Sequence, residues 1–429
     1  GHGPAQEAGR GSGPSAPGAS RRTHGNPFQG TGRLHRRACG GALQGRSLQV
    51  LIISTNLKKA PNWVPFFCCL YRIVGIVLLG KIVGGEDMAT IISLFNHKGG
   101  VSKTTTTFNL GWALAEQGKK VLMIDGDPQC NLTGTVLGFA GHEDISDFYE
   151  KSDSSDIYKC LEPVFSGSNS PLASAIPCAT NLDNLMLLPG HIEFAENETQ
   201  LSVAISTSSS IRAIQNLPGS LRKLIEVTCI KHDIDIALVD MSPSVGAINQ
   251  CFLMGSDYFI VPTSPDFYCK QAIYSLSRVI PRWHSEIEPF RDRKIDLRFD
   301  APPKFMGIIS QRYRPREGSP AKSFQRWIDE INLTVDNELI PILKGIDMII
   351  HKDVFKKHVK SERPYNMVNI SDFNSLIAQS QLHHTPVFAL SDAQLERQGV
   401  VLQNMQASRD NFRNLFTVLA EAVIGIVEE

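Results

Sequence analysis

One stretch, Lys98-Gly-Gly-Val-Ser-Lys-Thr-Thr105, constrains the fold more than any other part of the sequence. It follows a short apolar run at Ile91–Phe95 and leads into a helical pattern that begins near Thr104. A strand, a glycine-rich turn and a helix in this order form the usual context of a phosphate-binding loop. Glycines let several N–H groups face one anion, and the helix N-terminus adds a positive field. We therefore predict a phosphate-binding loop; the alternative is a glycine-rich turn that binds nothing.

The side chains of this loop have distinct predicted roles. Lys103 is expected to reach the β- and γ-phosphates of a nucleotide, and the Thr104 hydroxyl to ligate Mg²⁺. The full set of predicted nucleotide contacts in the loop is Lys98, Gly99, Gly100, Val101, Ser102, Lys103, Thr104 and Thr105. The second lysine, Lys98, stands directly before the two glycines. This pattern resembles the deviant Walker A motif of the ParA/MinD superfamily, and most closely its ParA/Soj partition-ATPase branch. Ser102 occupies a position where that family usually has glycine.

The resemblance implies an ATPase that works as a dimer. In the family the lysine matching Lys98 reaches the nucleotide of the partner subunit, so hydrolysis would require a homodimer. Lys98, Lys103 and Asp127 would then be the catalytic residues, and ATP and Mg²⁺ the cofactors. A solvated surface lysine is the alternative interpretation of Lys98.

The pattern from Met88 onward predicts an α/β fold. Apolar runs alternate with helical patterns, which indicates a doubly wound, mostly parallel sheet flanked by helices. By resemblance this is the P-loop NTPase fold of ParA-like proteins, within the SIMIBI class. The predicted strands are Ile91–Phe95, Val121–Ile124, Leu185–Leu188, Ile234–Val239, Tyr258–Pro262 and Phe305–Ile309, with Thr385–Leu390 as a short edge strand.

Two regions differ in composition from this pattern. Residues 1–87 carry 11 Lys and Arg against 3 Asp and Glu, and residues 88–429 carry 32 against 40. We expect residues 1–87 to be a disordered or non-native N-terminal extension, and residues 88–429 to form the ParA-like ATPase domain. An apolar run at Val64–Gly80 is at the short limit for a membrane span. Residues 140–180, rich in Ser, Asp and Gly, are predicted to be a variable insert with a helix around Ser146–Leu161.

Three aspartates follow two of the predicted strands. Asp240 ends an apolar run in Asp-Met-Ser-Pro-Ser-Val-Gly and is expected to hold Mg²⁺ through water opposite Thr104. A simple helix cap is the alternative. Asp125 and Asp127 resemble the Asp-x-Asp-Pro-Gln element of the family. By that resemblance Asp127 would activate water, while Asp125 would support Mg²⁺ and the lysines. The predicted metal residues are thus Thr104, Asp125 and Asp240.

Contacts to the base and to DNA are less specific in the sequence. Gln311 and Pro262 are candidate adenine contacts by position in the family pattern, and Gln311 could equally lie on the surface. Because residues 88–429 are acidic overall, any DNA contact requires a local basic patch. The candidates for phosphate contacts without sequence preference are Arg312, Arg314, Arg316, Lys356 and Lys357. A solvated charged face is the alternative for these residues.

The function predicted from these features is that of a dimerising ATPase in plasmid or chromosome partitioning. By resemblance, a ParB-like partner would stimulate hydrolysis, and non-specific DNA would bind the ATP-loaded homodimer. We expect a cytoplasmic, bacterial protein, nucleoid-associated if it binds DNA, without stable membrane association. The alternatives are MinD-like positioning, for which the acidic C-terminus is poorly suited, and a nucleotide-switched ATPase of a defence or secretion operon. An iron–sulfur carrier is not favoured, because it would require paired cysteines at the dimer face and no two cysteines form a Cys-x-x-Cys pair.

Overall fold

The computed structural model describes residues 88–138, 147–150, 155–168, 171–207, 210–316 and 319–429. Their centre is an eight-stranded sheet in the order β10-β7-β6-β1-β5-β2-β4-β3. Every adjacent pair is parallel except β3 and β4. The sheet strands are β1 (Thr90–Leu94), β2 (Val121–Asp125), β3 (Cys178–Ala179), β4 (Leu185–Leu188), β5 (Ile236–Asp240), β6 (Tyr258–Thr263), β7 (Lys304–Tyr313) and β10 (Asn366–Ser371), and a separate hairpin pairs β8 (Pro315–Arg316) with β9 (Ser319–Pro320).

Helices flank this sheet, so the predicted fold class is confirmed. Helix α1 packs on β2 and β5, and the C-terminal helix α13 packs on α1 and β10. A second group, α4 to α7, packs together. The helices are α1 (Lys103–Glu116), α2 (Asn131–Leu137), α3 (Ile157–Phe165), α4 (Asn197–Ser206), α5 (Leu217–His232), α6 (Ala247–Met254), α7 (Phe267–Ile287), α8 (Lys322–Thr334), α9 (Ile340–Gly345), α10 (Lys352–His358), α11 (Ser375–His383), α12 (Asp392–Leu395) and α13 (Gly399–Val427).

The central strands form because they are apolar on both faces. All five residues of β2 and of β5 are buried, as expected for strands covered by helices on both sides. Strands β1, β2 and β5 run parallel and in register, so Leu94, Asp125 and Asp240 reach the same edge of the sheet. That edge is where ligands bind in open α/β sheets.

The predicted edge strand at Thr385–Leu390 is wrong, since this segment forms turns. Pro386 has no amide to donate to a strand ladder, and the Val387 amide donates instead to the Asn109 side chain of α1 at 3.2 Å. The edge position belongs to β10, which pairs with β7. Its sequence, Asn-Met-Val-Asn-Ile-Ser, is too polar to stand out as a strand.

Parts of two other predictions lie outside the described residues. All of residues 1–87 do, including the apolar run at Val64–Gly80. In the 140–180 insert, residues 147–150, 155–168 and 171–180 are described, with α3 and β3. A helix was expected around Ser146–Leu161; residues 147–150 are helical, and α3 begins at Ile157 and extends to Phe165. Within the described part of the chain, no helix is both long and apolar enough to cross a membrane.

Candidate nucleotide site

The loop between β1 and α1 has the backbone shape of an anion-binding turn. Gly100 and Ser102 both adopt left-handed conformations, with φ of 73° and 61°. Among the described residues, none of the backbone amides from 99 to 105 donates to another protein group. Alternating left-handed residues make successive amides converge on one point, and the first amides of a helix have no partner within it. The loop therefore presents a set of free donors at the positive end of α1.

The two lysines of the loop lie in different environments. Lys103 is buried, and its Nζ donates to the Asn96 carbonyl oxygen at 2.8 Å. Burial lowers the pKa of Lys103, whereas Asp240 and Asp127 act to raise it. Lys98 is turned away from the loop, with its Nζ 2.7 Å from Asp266 Oδ2 and 2.9 Å from Ser264 Oγ. Lys103 thus lies beneath the loop, while Lys98 is held at its side by an ion pair.

Asp240 is a buried carboxylate without a hydrogen-bond partner. It is 1% exposed, and neither of its oxygens accepts a hydrogen bond from a described residue. Burial, together with the nearby charge of Asp125, raises the pKa of Asp240 to about 8, although the Thr104 hydroxyl and Lys103 act to lower it. Burying an ionised carboxylate costs free energy unless a cation lies beside it. A helix-capping carboxylate would accept a hydrogen bond from a backbone amide, which Asp240 does not do among the described residues. Its position beside the loop therefore fits a magnesium ligand better than a helix cap.

Asp125 and Asp127 face different partners. The Oδ2 atom of Asp125 accepts from the amide and the hydroxyl of Thr133, at 2.8 and 2.7 Å. Burial raises the pKa of Asp125 to about 6, while the Thr133 contacts lower it. Asp127 accepts from the Gln129 amide at 3.0 Å and lines the cavity described next. Asp125 thus anchors the start of α2, and its metal role stays a prediction.

A cavity of about 370 Å³ opens over the loop. Its walls include the backbone from Gly99 to Thr105, so it brings together all the predicted loop contacts except Lys98. Sequence reasoning missed the other lining residues, which come from distant segments: Gln129, Asn131, Thr135, Met241, Pro243 and Gln381. Gln381 lies on α11, far along the chain, and no spacing or motif connects it to the loop. The signal for Pro243 was present, because it follows the Asp240 strand.

The two adenine candidates do not line this cavity. Pro262 is buried in β6, and its carbonyl oxygen accepts from the Asn96 side chain at 2.8 Å. Gln311 is 1% exposed, and its Nε2 donates to the Thr106 hydroxyl at 2.6 Å. The surface alternative for Gln311 is therefore wrong, because the residue is inside the protein. Base recognition by these two residues stays a prediction.

The five basic candidates fall into different settings. Arg312 donates from Nη1 to the Gly100 carbonyl oxygen at 2.6 Å, so it touches the loop itself. Arg314, Arg316 and Lys356 are exposed and form no ion pair among the described residues. Lys357 pairs with Glu429 at 3.1 Å. Only some of these cations are thus free to meet a phosphate backbone.

The donor and acceptor set fits a magnesium nucleotide. Free amides and Lys103 suit phosphate oxygens, and Thr104 with Asp240 supplies the oxygen ligands that Mg²⁺ prefers, with the remaining positions filled by water and phosphate. The orphaned oxygens of Asp240 carry this conclusion, since they need a positive partner. A parallel sheet, a left-handed glycine loop at a helix N-terminus and a carboxylate on a neighbouring strand together define a P-loop nucleotide-binding protein.

Comparison with known proteins shows which sequences this chain resembles. A family model described as an AAA domain matches residues 89–291. The chain is 30% identical over 193 residues to the sporulation initiation inhibitor protein Soj of Bacillus subtilis, covering 45% of this chain and 65% of Soj. It is 27% identical over 199 residues to the chromosome partitioning protein ParA of Caulobacter vibrioides, covering 46% of this chain and 65% of that protein. The chain thus spans just under two thirds of these relatives. The sequence is thus similar to that of the partitioning proteins ParA and Soj.

The fold has a counterpart among solved structures. The protein DIP2308 of Corynebacterium diphtheriae has a TM-score of 0.50 and 21% sequence identity, covering 69% of this chain and 97% of that one. At this identity the likeness concerns the fold alone. The likeness to ParA and Soj therefore rests on the sequence relatives and not on this structure.

Proposed function

We propose that this protein is an ATP-dependent dimerising ATPase that acts in DNA partitioning. The observation that carries the proposal is the pair of lysines on one phosphate loop. Lys103 lies beneath the loop amides, where a nucleotide of the same subunit would bind. Lys98 lies outside the cavity lining and pairs with Asp266, which supports the proposal that it serves another site. In this proposal Lys98 leaves Asp266 and reaches the nucleotide of a second copy.

ATP hydrolysis would require little covalent chemistry from this site. Transfer of a phosphoryl group to water needs mainly positioning and neutralisation of charge. Lys103 and the loop amides would hold the phosphates, Thr104 and Asp240 would hold Mg²⁺, and Asp127, at the cavity wall, would orient the attacking water. Lys98 from the partner would add charge at the transferred phosphate. Hydrolysis would then depend on dimer formation and hence on a stimulating partner, which we propose to be ParB-like.

The ion pair of Lys98 is weak enough to allow this exchange. The Lys98 side chain is 22% exposed and that of Asp266 39% exposed. Pairs of this exposure contribute about 1 kcal/mol or less. A partner's triphosphate carries more negative charge than one carboxylate, so binding there would offset the loss of Asp266.

The relatives support a role in partitioning, and the free basic residues support DNA as a ligand. The matched proteins include a chromosome partitioning protein and a virulence plasmid ParA family protein of Chlamydia psittaci. Arg314, Arg316 and Lys356 are exposed and free of ion pairs among the described residues. Cations that contact only phosphates bind DNA without sequence preference. Nucleoid association in the cytoplasm follows from the proposal.

The test is ATP turnover by the full chain with Mg²⁺, with and without plasmid DNA. The wild type is compared with Lys98→Ala and with Lys223→Ala, a surface lysine that pairs with Glu226 away from the loop. We expect slow turnover that rises with DNA, is lost in Lys98→Ala and is kept in the Lys223→Ala control. A turnover rate that changes neither with DNA nor in Lys98→Ala would still agree with a nucleotide site but would contradict the partition-type dimer. A nucleotide-switched protein of another system would then be the better hypothesis.

A further inference from the structure

Arg312 lies at an irregular position in strand β7. Along the pairing with β10, Ile370 lies opposite Gln311 and Ser371 lies opposite Tyr313, so Arg312 has no residue opposite it. Its φ is 62°, in the left-handed region. This is a β-bulge, and bulges turn a side chain in a direction that a regular strand does not allow. A left-handed arginine is strained, and such strain persists where the surrounding structure requires it.

The redirected side chain reaches the phosphate loop. Arg312 Nη1 donates to the carbonyl oxygen of Gly100 at 2.6 Å, across 212 positions of sequence. Gly100 is itself left-handed, with φ of 73°. In a trans peptide the carbonyl and the next N–H point in opposite directions. Holding the Gly100 carbonyl toward Arg312 therefore turns the Val101 amide the other way, and that amide has no partner among the described residues.

We propose that Arg312 is a positioning residue for nucleotide binding. It fixes the Gly100–Val101 peptide so that the Val101 amide is a preformed phosphate donor. The inference rests on the proposed function, because it assumes that the loop binds the phosphates of ATP. The sequence had suggested DNA contact for this residue; its hydrogen bond to the loop favours the nucleotide site. A flexible glycine peptide that is not held in place must be ordered on binding, which lowers affinity.

The deciding variant is Arg312→Gly in the full chain. Glycine accepts a φ of 62° without strain, so the bulge is kept while the guanidinium is removed. We expect the Kd for Mg-ATP, measured by equilibrium titration, to rise about tenfold, which corresponds to about 1.4 kcal/mol. The melting temperature should stay the same or rise. Backbone N–H order parameters of the free protein, measured by NMR, should fall across residues 99–105 and stay unchanged in β7 and β10.

Two further variants serve as comparisons. Arg326→Ala removes an exposed arginine on α8 and should leave both the Kd and the loop order parameters unchanged. Arg312→Lys keeps a charged donor and should lie between the wild type and Arg312→Gly.

A Kd within twofold of wild type together with unchanged order parameters at residues 99–105 would overturn the proposal. Loss of DNA binding with ATP affinity intact would instead make Arg312 a DNA contact. The order-parameter measurement needs no nucleotide, so it decides the role of Arg312 even if the wild type fails to bind ATP. That failure would refute the proposed function separately.

Discussion

Replacing Asp240 with asparagine should stabilise the fold while destroying the metal site. Burial is the main reason why the pKa of Asp240 is raised from 3.8 to about 8. The Thr104 hydroxyl and Lys103 favour the ionised form, but burial and the charge of Asp125 outweigh them. Asparagine has nearly the same shape and carries no charge. The substitution therefore removes an electrostatic cost that the native protein tolerates at a functional position.

The size of the effect depends on pH. Between the unfolded pKa near 3.8 and the folded pKa near 8, the folded state binds more protons than the unfolded state at this residue. Stability therefore falls as pH rises through that window, by at most about 1.4 kcal/mol per pH unit. The asparagine side chain of the variant does not titrate. The advantage of Asp240→Asn over wild type should thus grow by up to about 3 kcal/mol between pH 5 and pH 7.

Urea unfolding of the full chain at pH 5, 6 and 7, followed by circular dichroism, measures this difference. The control is Glu421→Gln, which changes an exposed carboxylate on α13. The difference in unfolding free energy between this variant and wild type should not change with pH. Asp240→Asn should also lose the stabilisation that Mg-ATP gives to the wild type. Two results would refute the reasoning that the charge of buried Asp240 costs more than its surroundings offset. One is a variant no more stable than wild type at pH 7, and the other is a stability difference that does not widen with pH.

Three further substitutions test the site. Ser102→Gly removes a left-handed serine whose hydroxyl makes no cap contact, and should raise stability by up to about 1 kcal/mol in thermal unfolding with ATP affinity intact. Gly126→Ala places a Cβ about 2.9 Å from the backbone oxygen of Asp240, so we expect a loss of about 1–3 kcal/mol and weaker Mg-ATP binding by calorimetry. Asp266→Asn breaks the ion pair with Lys98 while keeping an oxygen for the helix cap. A double-mutant cycle with Lys98→Ala should give a coupling in the free energy of unfolding of about 1 kcal/mol or less, which should decrease as salt is added.

The central sheet and the loop were predictable because their signals are local. An unbroken apolar run such as Val121–Ile124 is buried on both faces wherever it lies in a parallel sheet, so its sequence alone indicates its place. The loop needs a strand before it and a helix after it, and both are adjacent in the chain. The carboxylates Asp125 and Asp240 end apolar strands and therefore had to lie at one edge of the sheet.

The remaining features depend on contacts that no local pattern encodes. Strand β10 is held by pairing with β7 and is polar enough to be taken for a loop. Lys98 meets Asp266 across 168 positions, and Gln381 joins the cavity from α11. The bulge at Arg312 arises from the register between two strands, which sequence reasoning did not pair. Single-residue shifts of this kind decide where a side chain points, and the periodicity of a strand does not reveal them.

The dependence of specific ATPase activity on protein concentration tests the central claim most directly. If Lys98 acts on the nucleotide of a second copy, activity per subunit should rise with concentration until the dimer is saturated. Lys98→Ala should stay low at every concentration while still binding Mg-ATP. Activity per subunit that is constant across the dimerisation range, and unchanged in Lys98→Ala, would contradict a cross-subunit lysine and leave each phosphate loop working alone.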